Sequence, residues 1–388
     1  MEKIKHVFMT TIEASLKSFM LPVISKMDKE KYDITLMCNM SDEFFVEMSK
    51  EYNCVPLDLA RGFNFKKTLF CIFKLIKEFR RIKPTIIEYG TENVSFCAAI
   101  AGWLTGVPIR LYNHWGPRYV GLTGIARVLS VIIETTAALF STDVRQVSPR
   151  NRELCVKDHL YPAKKVKVLG YGGTVGVDFS RFQLDKKEEH RKEVRQTYSV
   201  PEEATLIGFV GRIQTDKGIN ELIEAFKKIY SEDNTRYLML VGPIDSANPI
   251  KEENMKWAEE CPNVIFTGRR EDVYRYMSAF DLLAHPTYRE GLGMVLQEAA
   301  ALKLPIITTN IIGPSEFITH GFNGALAEVR DAESLYLRIS ELVKEPEKMK
   351  EYAENVYKYT LENFERSVMV GRIIADREEL LKGIGKIK

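Results

Sequence analysis

At 388 residues, 45% hydrophobic and 28% charged, the chain has a globular composition and is too long for one ordinary core, so two domains are expected. A net charge of +2 gives nucleic-acid binding no support. The six cysteines stand singly, with no CxxC pair, which argues for reduced thiols and against a disulfide framework or a zinc site.

The opening MEKIKHVFMTT reads as a first strand and is too short and polar for a signal peptide. No apolar run reaches the length of a membrane span. The expected location is cytoplasmic, with any membrane contact peripheral and at the inner face of the cell membrane. Strands are expected at 4–9, 32–39, 55–59, 85–89, 107–113, 143–147 and 166–169, separated by helical patterns such as 14–27. Short β-branched runs alternating with helices imply βαβ units and a parallel sheet covered on both faces.

Within this half, residues 63–83 interleave Phe65, Leu69, Phe70, Phe73 and Phe79 with Lys66, Lys67, Lys74, Lys77, Arg80 and Arg81, opposed only by Glu78. Such a helix can lie in an anionic membrane interface or can bury its apolar stripe in a core with its lysines solvated. The sequence leaves both open. A second apolar run, 128–140, is expected to be a buried helix, with membrane contact there as the alternative.

Near Gly170 the texture changes to a glycine-rich GYGGTVGVDFSRF and a charged stretch at 184–195. A second alternating series follows, with strands expected at 206–210, 237–241, 264–267, 282–284, 305–309 and 324–327. The predicted domains are 1–169 and 170–388, with a last helix at 364–388 that packs back on the first domain.

Four stretches carry candidate chemistry. In 281–304 a short strand delivers His285 and Pro286 into a turn. The loop Glu290-Gly291-Leu292-Gly293 and then a helix bearing Glu298 follow. That order leaves backbone N–H groups free at a helix start, where phosphate binds. In 211–218 a strand ends in Gly211, followed by Arg212 and Lys217, aiming two cations at the sheet edge where open α/β sheets bind ligands. The Walker spacing is absent. In 264–270 another strand ends in glycine before Arg269. In 112–116 His114 ends a strand and is followed by Trp115 and Gly116, a setting that suggests a functional histidine. His285 is expected to shape its turn.

Together these stretches resemble the retaining glycosyltransferases of family 4, most closely over 206–329. FVGRIQTDKG is similar to that family's G-R-x-x-x-x-K-G, and HPTYREGLGMVLQEAAALKLPI to its H-P-S-x-x-E-G-F/L-G-x-x-x-x-E-A block. Glu290 and Glu298 match its E-x7-E signature. The resemblance implies an α/β fold of GT-B architecture, with two facing Rossmann-like domains, parallel sheets and a cleft between them. It also implies roles. Arg212 and Lys217 would bind the donor diphosphate, and Glu298 the ribose hydroxyls. Glu290 and the backbone amides of Gly291, Leu292, Gly293, Met294 and Val295 would meet the transferred sugar and phosphate. Arg269 would sit beside the base, Gly211 would help bind the donor, and His114 would lie near the donor sugar's reacting face. The implied donor is a nucleotide-sugar, with UDP the expected nucleotide. The implied acceptor is a saccharide on undecaprenyl diphosphate, as in capsule or O-antigen assembly. No cofactor and no metal are expected, and the chain has no Asp-x-Asp.

The sequence departs from the family in the loop after the first strand, which reads Thr10-Thr11-Ile12-Glu13-Ala14-Ser15 in place of a Gly-Gly. Hydroxyls of Thr10, Thr11 or Ser15 are candidate substitutes there. A nucleotide-sugar epimerase on the same architecture is the alternative activity. A glycan phosphorylase lacks a cofactor-lysine site here, a non-enzymatic binder leaves the four charged residues unexplained, and GYGGTVG misses the dinucleotide spacing.

Overall fold

A computed structural model describes residues 3–59 and 64–387. The chain forms two compact units, Met1–Val175 with Ser367–Lys388, and Gly176–Arg366. The division falls beyond the predicted junction at 169/170 because the glycine-rich stretch is bonded into the first unit. Gly172 N donates to Leu169 O at 2.9 Å and Gly173 N to Val147 O at 2.6 Å. Gly172 has φ +96°, and a Cβ there would lie 2.2 Å from Val147 O, so only glycine fits.

In the first unit, β1 (Ile4–Ile12), β2 (Tyr32–Asn39), β3 (Asn53–Pro56), β4 (Ile86–Gly90), β5 (Ile109–His114), β6 (Asp143–Gln146) and β7 (Val166–Val168) form a parallel sheet in the order β3-β2-β1-β4-β5-β6-β7. Central strands such as β4 are buried along their whole length, because helices cover both faces. One face carries the crossover helices Phe65–Ile82, Glu92–Leu104 and Gly124–Phe140, whose Cys71, Leu75, Phe79, Ala98 and Ala137 close on Val7, Ile87 and Val144. Residue 63, the first of the predicted basic segment, lies outside the described residues. The predicted helix at 14–27 is split into Glu13–Phe19 and Leu21–Ile24, with Pro22 in the first turn of the second.

The predicted terminal helix is Arg366–Gly383, and from Ser367 onward it belongs to the first unit. A buried ion pair ties it there: Arg377 Nη2 donates to Glu88 Oε1 on β4 at 2.6 Å, and Asp376 accepts from Arg145 Nε of β6 at 2.9 Å. Burial works to raise the Glu88 carboxyl, but Arg377 and a hydrogen bond with His6 outweigh it and hold it well below the usual range.

The second unit holds β8 (Leu206–Val210), β9 (Tyr237–Val241), β10 (Val264–Gly268), β11 (Leu282–His285), β12 (Ile306–Thr309) and β13 (Ala325–Ala327), parallel in the order β10-β9-β8-β11-β12-β13. The charged stretch at 184–195 begins as a 3-10 turn and continues into the helix Lys187–Thr197. Arg195 of that helix is buried and bonded to Asp281 Oδ2 at 2.7 Å. Both sheets are Rossmann-like, and strand order reverses at β1/β4 and at β8/β11. Ligands of open α/β sheets bind at such switch points, beyond the carboxyl ends of the strands.

Replacing Arg377 by methionine leaves Glu88 charged and unpaired in the interior, with an expected loss of about 3–5 kcal/mol. The double replacement Glu88→Gln with Arg377→Met should recover most of it. Thermal melting of the three proteins checks this, and equal losses in the single and double variants would contradict it.

Candidate active site

The loops after β8 and β11 meet at the switch point of the second unit. Gly211 follows β8, and Thr215–Lys217 makes a short 3-10 turn closed by Gly218 at φ +72°. A Cβ on Gly218 would lie 1.9 Å from Pro286 O, so glycine alone lets the two loops touch. The contact is bonded as well as close. Tyr288 N donates to Asp216 O at 2.9 Å, Arg289 Nη2 to Asp216 Oδ2 at 3.1 Å, and the Tyr288 hydroxyl to Glu221 Oε1 at 2.6 Å.

Inside this frame Lys217 Nζ donates to Glu290 Oε2 at 2.7 Å, with both side chains partly buried. His285 Nε2 lies 3.6 Å from the same oxygen and its ring stacks on Phe209. Burial would raise the Glu290 carboxyl, but Lys217 and His285 outweigh it and keep it well below the usual range, so Glu290 is an anion at neutral pH. Burial lowers His285 and keeps it neutral. Glu290 is therefore neither a proton donor nor an obvious base.

Gly291, Leu292 and Gly293 lead into the helix Met294–Ala301, whose start carries no side-chain cap. Its first N–H groups have no intrahelical partner, and the positive end of the helix dipole adds to them. Met294 and Val295 are half-buried in that first turn, while Leu292 is buried beneath it. Glu298 follows one turn on, half-buried. Burial raises its carboxyl to about 7, against the opposing charges of Arg181 and Arg366.

Arg212 is exposed and bonded through Nη1 to Asp245 Oδ2 at 2.6 Å. Asp245, in the loop after β9, did not stand out in the sequence, although Gly242 follows β9 as Gly211 follows β8. Asp216, which holds the two loops together, was likewise missed, since its role is set by contacts with 287–289. Arg269 is exposed just past β10, the edge strand, two strands from β8.

His114 sits differently from its expectation as a residue facing a ligand. It is 3% exposed, with Nε2 3.2 Å from Glu134 Oε2 and Nδ1 3.1 Å from Gln146 Nε2 and 3.2 Å from the Tyr161 hydroxyl. Burial pulls the ring toward neutrality, yet its hydrogen bonds with Cys155 and Glu134 raise its pKa. Its ring stacks on Tyr112 of β5 and meets Tyr161 edge-on. Its neighbours Asn113 and Trp115 instead line a small cavity with Glu88, Arg145, Thr174 and Arg377. In the loop after β1, Thr11 Oγ1 lies 2.8 Å from Thr91 Oγ1, and Thr10 Oγ1 donates to Ile12 O at 2.9 Å. These two hydroxyls are engaged within the protein.

Residues 190–359 match the family model described as glycosyl transferases group 1. The chain is 29% identical over 349 residues, 89% of its length and 88% of the relative's, to the capsular polysaccharide biosynthesis glycosyltransferase CapM of Staphylococcus aureus. It is 23% identical, over 86% of this chain and 85% of the relative, to the UDP-Gal:alpha-D-GlcNAc-diphosphoundecaprenol alpha-1,3-galactosyltransferase of Escherichia coli. Among solved structures, Anabaena Alr3699/HepE in complex with UDP and glucose superposes with a TM-score of 0.78 at 18% identity, covering 97% of this chain and all of that one. These matches do not favour the epimerase alternative.

The Glu298 environment sets a pH test. An unfolded carboxyl titrates near 4.5 and the folded one near 7, so between these values the folded state binds more protons. Stability therefore falls as pH rises through that window. Glu298→Gln is expected to melt higher than the parent at pH 8 and at the same temperature below pH 4.5, as read by calorimetry.

Two Rossmann-like sheets, a glycosyltransferase domain match and transferase relatives over most of the chain lead to one conclusion: the protein is a glycosyltransferase enzyme of the GT-B fold.

Proposed function

We propose that the protein is a retaining, family 4 glycosyltransferase that moves a sugar from a UDP-sugar to a saccharide carried on a lipid diphosphate during surface-polysaccharide assembly. The observation that carries this is the convergence, at the β8/β11 switch, of Lys217 and Glu290 with the uncapped start of the helix Met294–Ala301. A cation beside unpaired backbone N–H groups is the arrangement that holds a diphosphate and stabilises it as it departs. Arg212 supplies a second cation at the same sheet edge, past Gly211. Glu298, ionised above its raised pKa, accepts hydrogen bonds from ribose hydroxyls. The Glu290 anion, fixed by Lys217, orients the transferred sugar through its hydroxyls, together with the amides of Gly291 to Val295. Arg269 flanks the base.

No metal or cofactor is required on this reading, because one guanidinium, one ammonium and a helix start meet the charge of the leaving nucleotide. The departing phosphate, so stabilised, accepts the proton of the acceptor hydroxyl, and the new bond forms on the face it leaves. The lipid-linked acceptor is supported by the Escherichia coli relative, whose name specifies a diphosphoundecaprenol substrate, and the surface-polysaccharide setting by CapM. Such an enzyme works at a membrane, and the basic helix Phe65–Ile82 is the segment proposed to meet it. No helix among the described residues is long and apolar enough to cross a bilayer.

A panel of nucleotide-sugars screened by release of free nucleotide identifies the donor. With that donor, Arg212→Ala and Glu298→Ala should each lower donor binding or turnover at least tenfold, about 1.4 kcal/mol. Lys217→Met should lower turnover further, since it also strips Glu290 of its partner. Unchanged kinetics in all three would sink the assignment.

A further inference from the structure

The three crossover helices of the first unit present an outer face that is apolar where a solvated face is expected. The helix Gly124–Phe140 buries Ser130, Ile133, Glu134, Ala137 and Ala138 against the unit. Its opposite side leaves Ile125 79%, Leu129 44% and Ile132 52% exposed, at the i, i+4, i+7 spacing of a single stripe. Between Gly124 and Phe140 the only charges are Arg127 and Glu134, and Glu134 is committed inward to His114. The expectation of a buried helix there is thus corrected: one side is buried and the other is bare.

The helix Phe65–Ile82 repeats the pattern. It buries Thr68, Cys71, Leu75 and Phe79 and leaves Phe65 70%, Phe70 66% and Phe73 63% exposed. The helix Glu92–Leu104 packs against both others and carries no charge after Glu92. Each helix joins two strands of one parallel sheet, so all three run in the same direction. Their N-terminal ends, with Phe65, Phe70, Ile125 and Leu129, lie at the carboxyl edge of the sheet. A monomeric surface rarely leaves so much adjoining apolar side chain in water.

Charge separates the candidate occupants. Lys66, Lys77 and Arg80 of the first helix are exposed and form no ion pair among the described residues, whereas Lys67 is paired with Asp58 and Arg81 with Glu78. An apolar stripe bordered by unpaired cations fits an anionic lipid surface, where the rings and aliphatic chains enter the acyl boundary and the cations meet headgroups. A second copy of this face would oppose cation to cation.

We infer that the outer faces of Gly124–Phe140 and Phe65–Ile82 form one lipid-docking surface, with the stripe Ile125, Leu129 and Ile132 as the inserted element and Lys66, Lys77 and Arg80 as its electrostatic rim. This extends the membrane contact of the proposed function to a second helix, and vesicle binding reads it without any transfer reaction. The purified protein should co-sediment with phosphatidylglycerol-containing vesicles and not with pure phosphatidylcholine. Ile125→Ser with Leu129→Ser and Ile132→Ser should lower that binding at least tenfold even at low salt. Lys66→Gln with Lys77→Gln and Arg80→Gln, at solvated positions that do not bear on folding, should lower it several-fold and flatten its salt dependence. UDP binding by the same variants, measured without lipid, reports the donor site separately and should be unchanged. Failure of the parent protein to bind anionic vesicles would overturn the inference. So would a serine variant that folds and binds like the parent, or a stripe-dependent dimer in sedimentation with no vesicle binding.

Discussion

The contact between the loops after β8 and β11 is the constraint on which the candidate site depends. Neither loop has a hydrophobic core of its own. What fixes them is the absence of a side chain at Gly218, the bonds converging on Asp216, and the Lys217–Glu290 pair. Because β8 and β11 are neighbours in the sheet, both loops spring from one rigid base, and a cation from one reaches a carboxylate from the other. A partly buried pair of this kind gains more from holding geometry than from net stability, since desolvation offsets most of the attraction. Its value is that Glu290 is held in one place and kept as the anion at neutral pH.

The charged groups of the two units divide by whether they are satisfied. Glu88 with Arg377, Arg195 with Asp281, and His114 with Glu134 are buried and mutually paired, and each ties one element to another. Glu298 differs in that burial alone dominates its titration, and it stands a turn beyond an uncapped helix start. Its carboxyl forms no ion pair among the described residues, unlike that of Glu290, which Lys217 holds at 2.7 Å. His114 differs from both in being enclosed in the first unit, with Glu134 beside its Nε2.

Much of the architecture was legible because parallel strands covered on both faces must be short and β-branched, and both series of strands show it. The loops that gather Arg212, Lys217 and Glu290 at one sheet edge were marked by glycines and charges at strand ends. Three things were not legible, for one shared reason: each depends on a partner remote in sequence. His114 reads as a site histidine until Glu134 on the following helix is seen beside it. The run at 128–140 has core-like periodicity, and periodicity does not tell which apolar side is left uncovered. The last helix carries Arg377 and Asp376, whose meaning appears only with Glu88 and Arg145 in place.

The discontinuity of the first unit has a consequence for its biogenesis. Its sheet is complete by β7, yet the arginine that neutralises Glu88 on a central strand is encoded beyond the whole of the second unit. During synthesis from the N-terminus, about two hundred residues separate Val175 from the arginine that pairs with Glu88. The second unit, contiguous from Gly176 to Arg366, has no such gap. The Glu88–Arg377 pair is therefore the last tie of the first unit to become available during synthesis, although that unit's strands are made first.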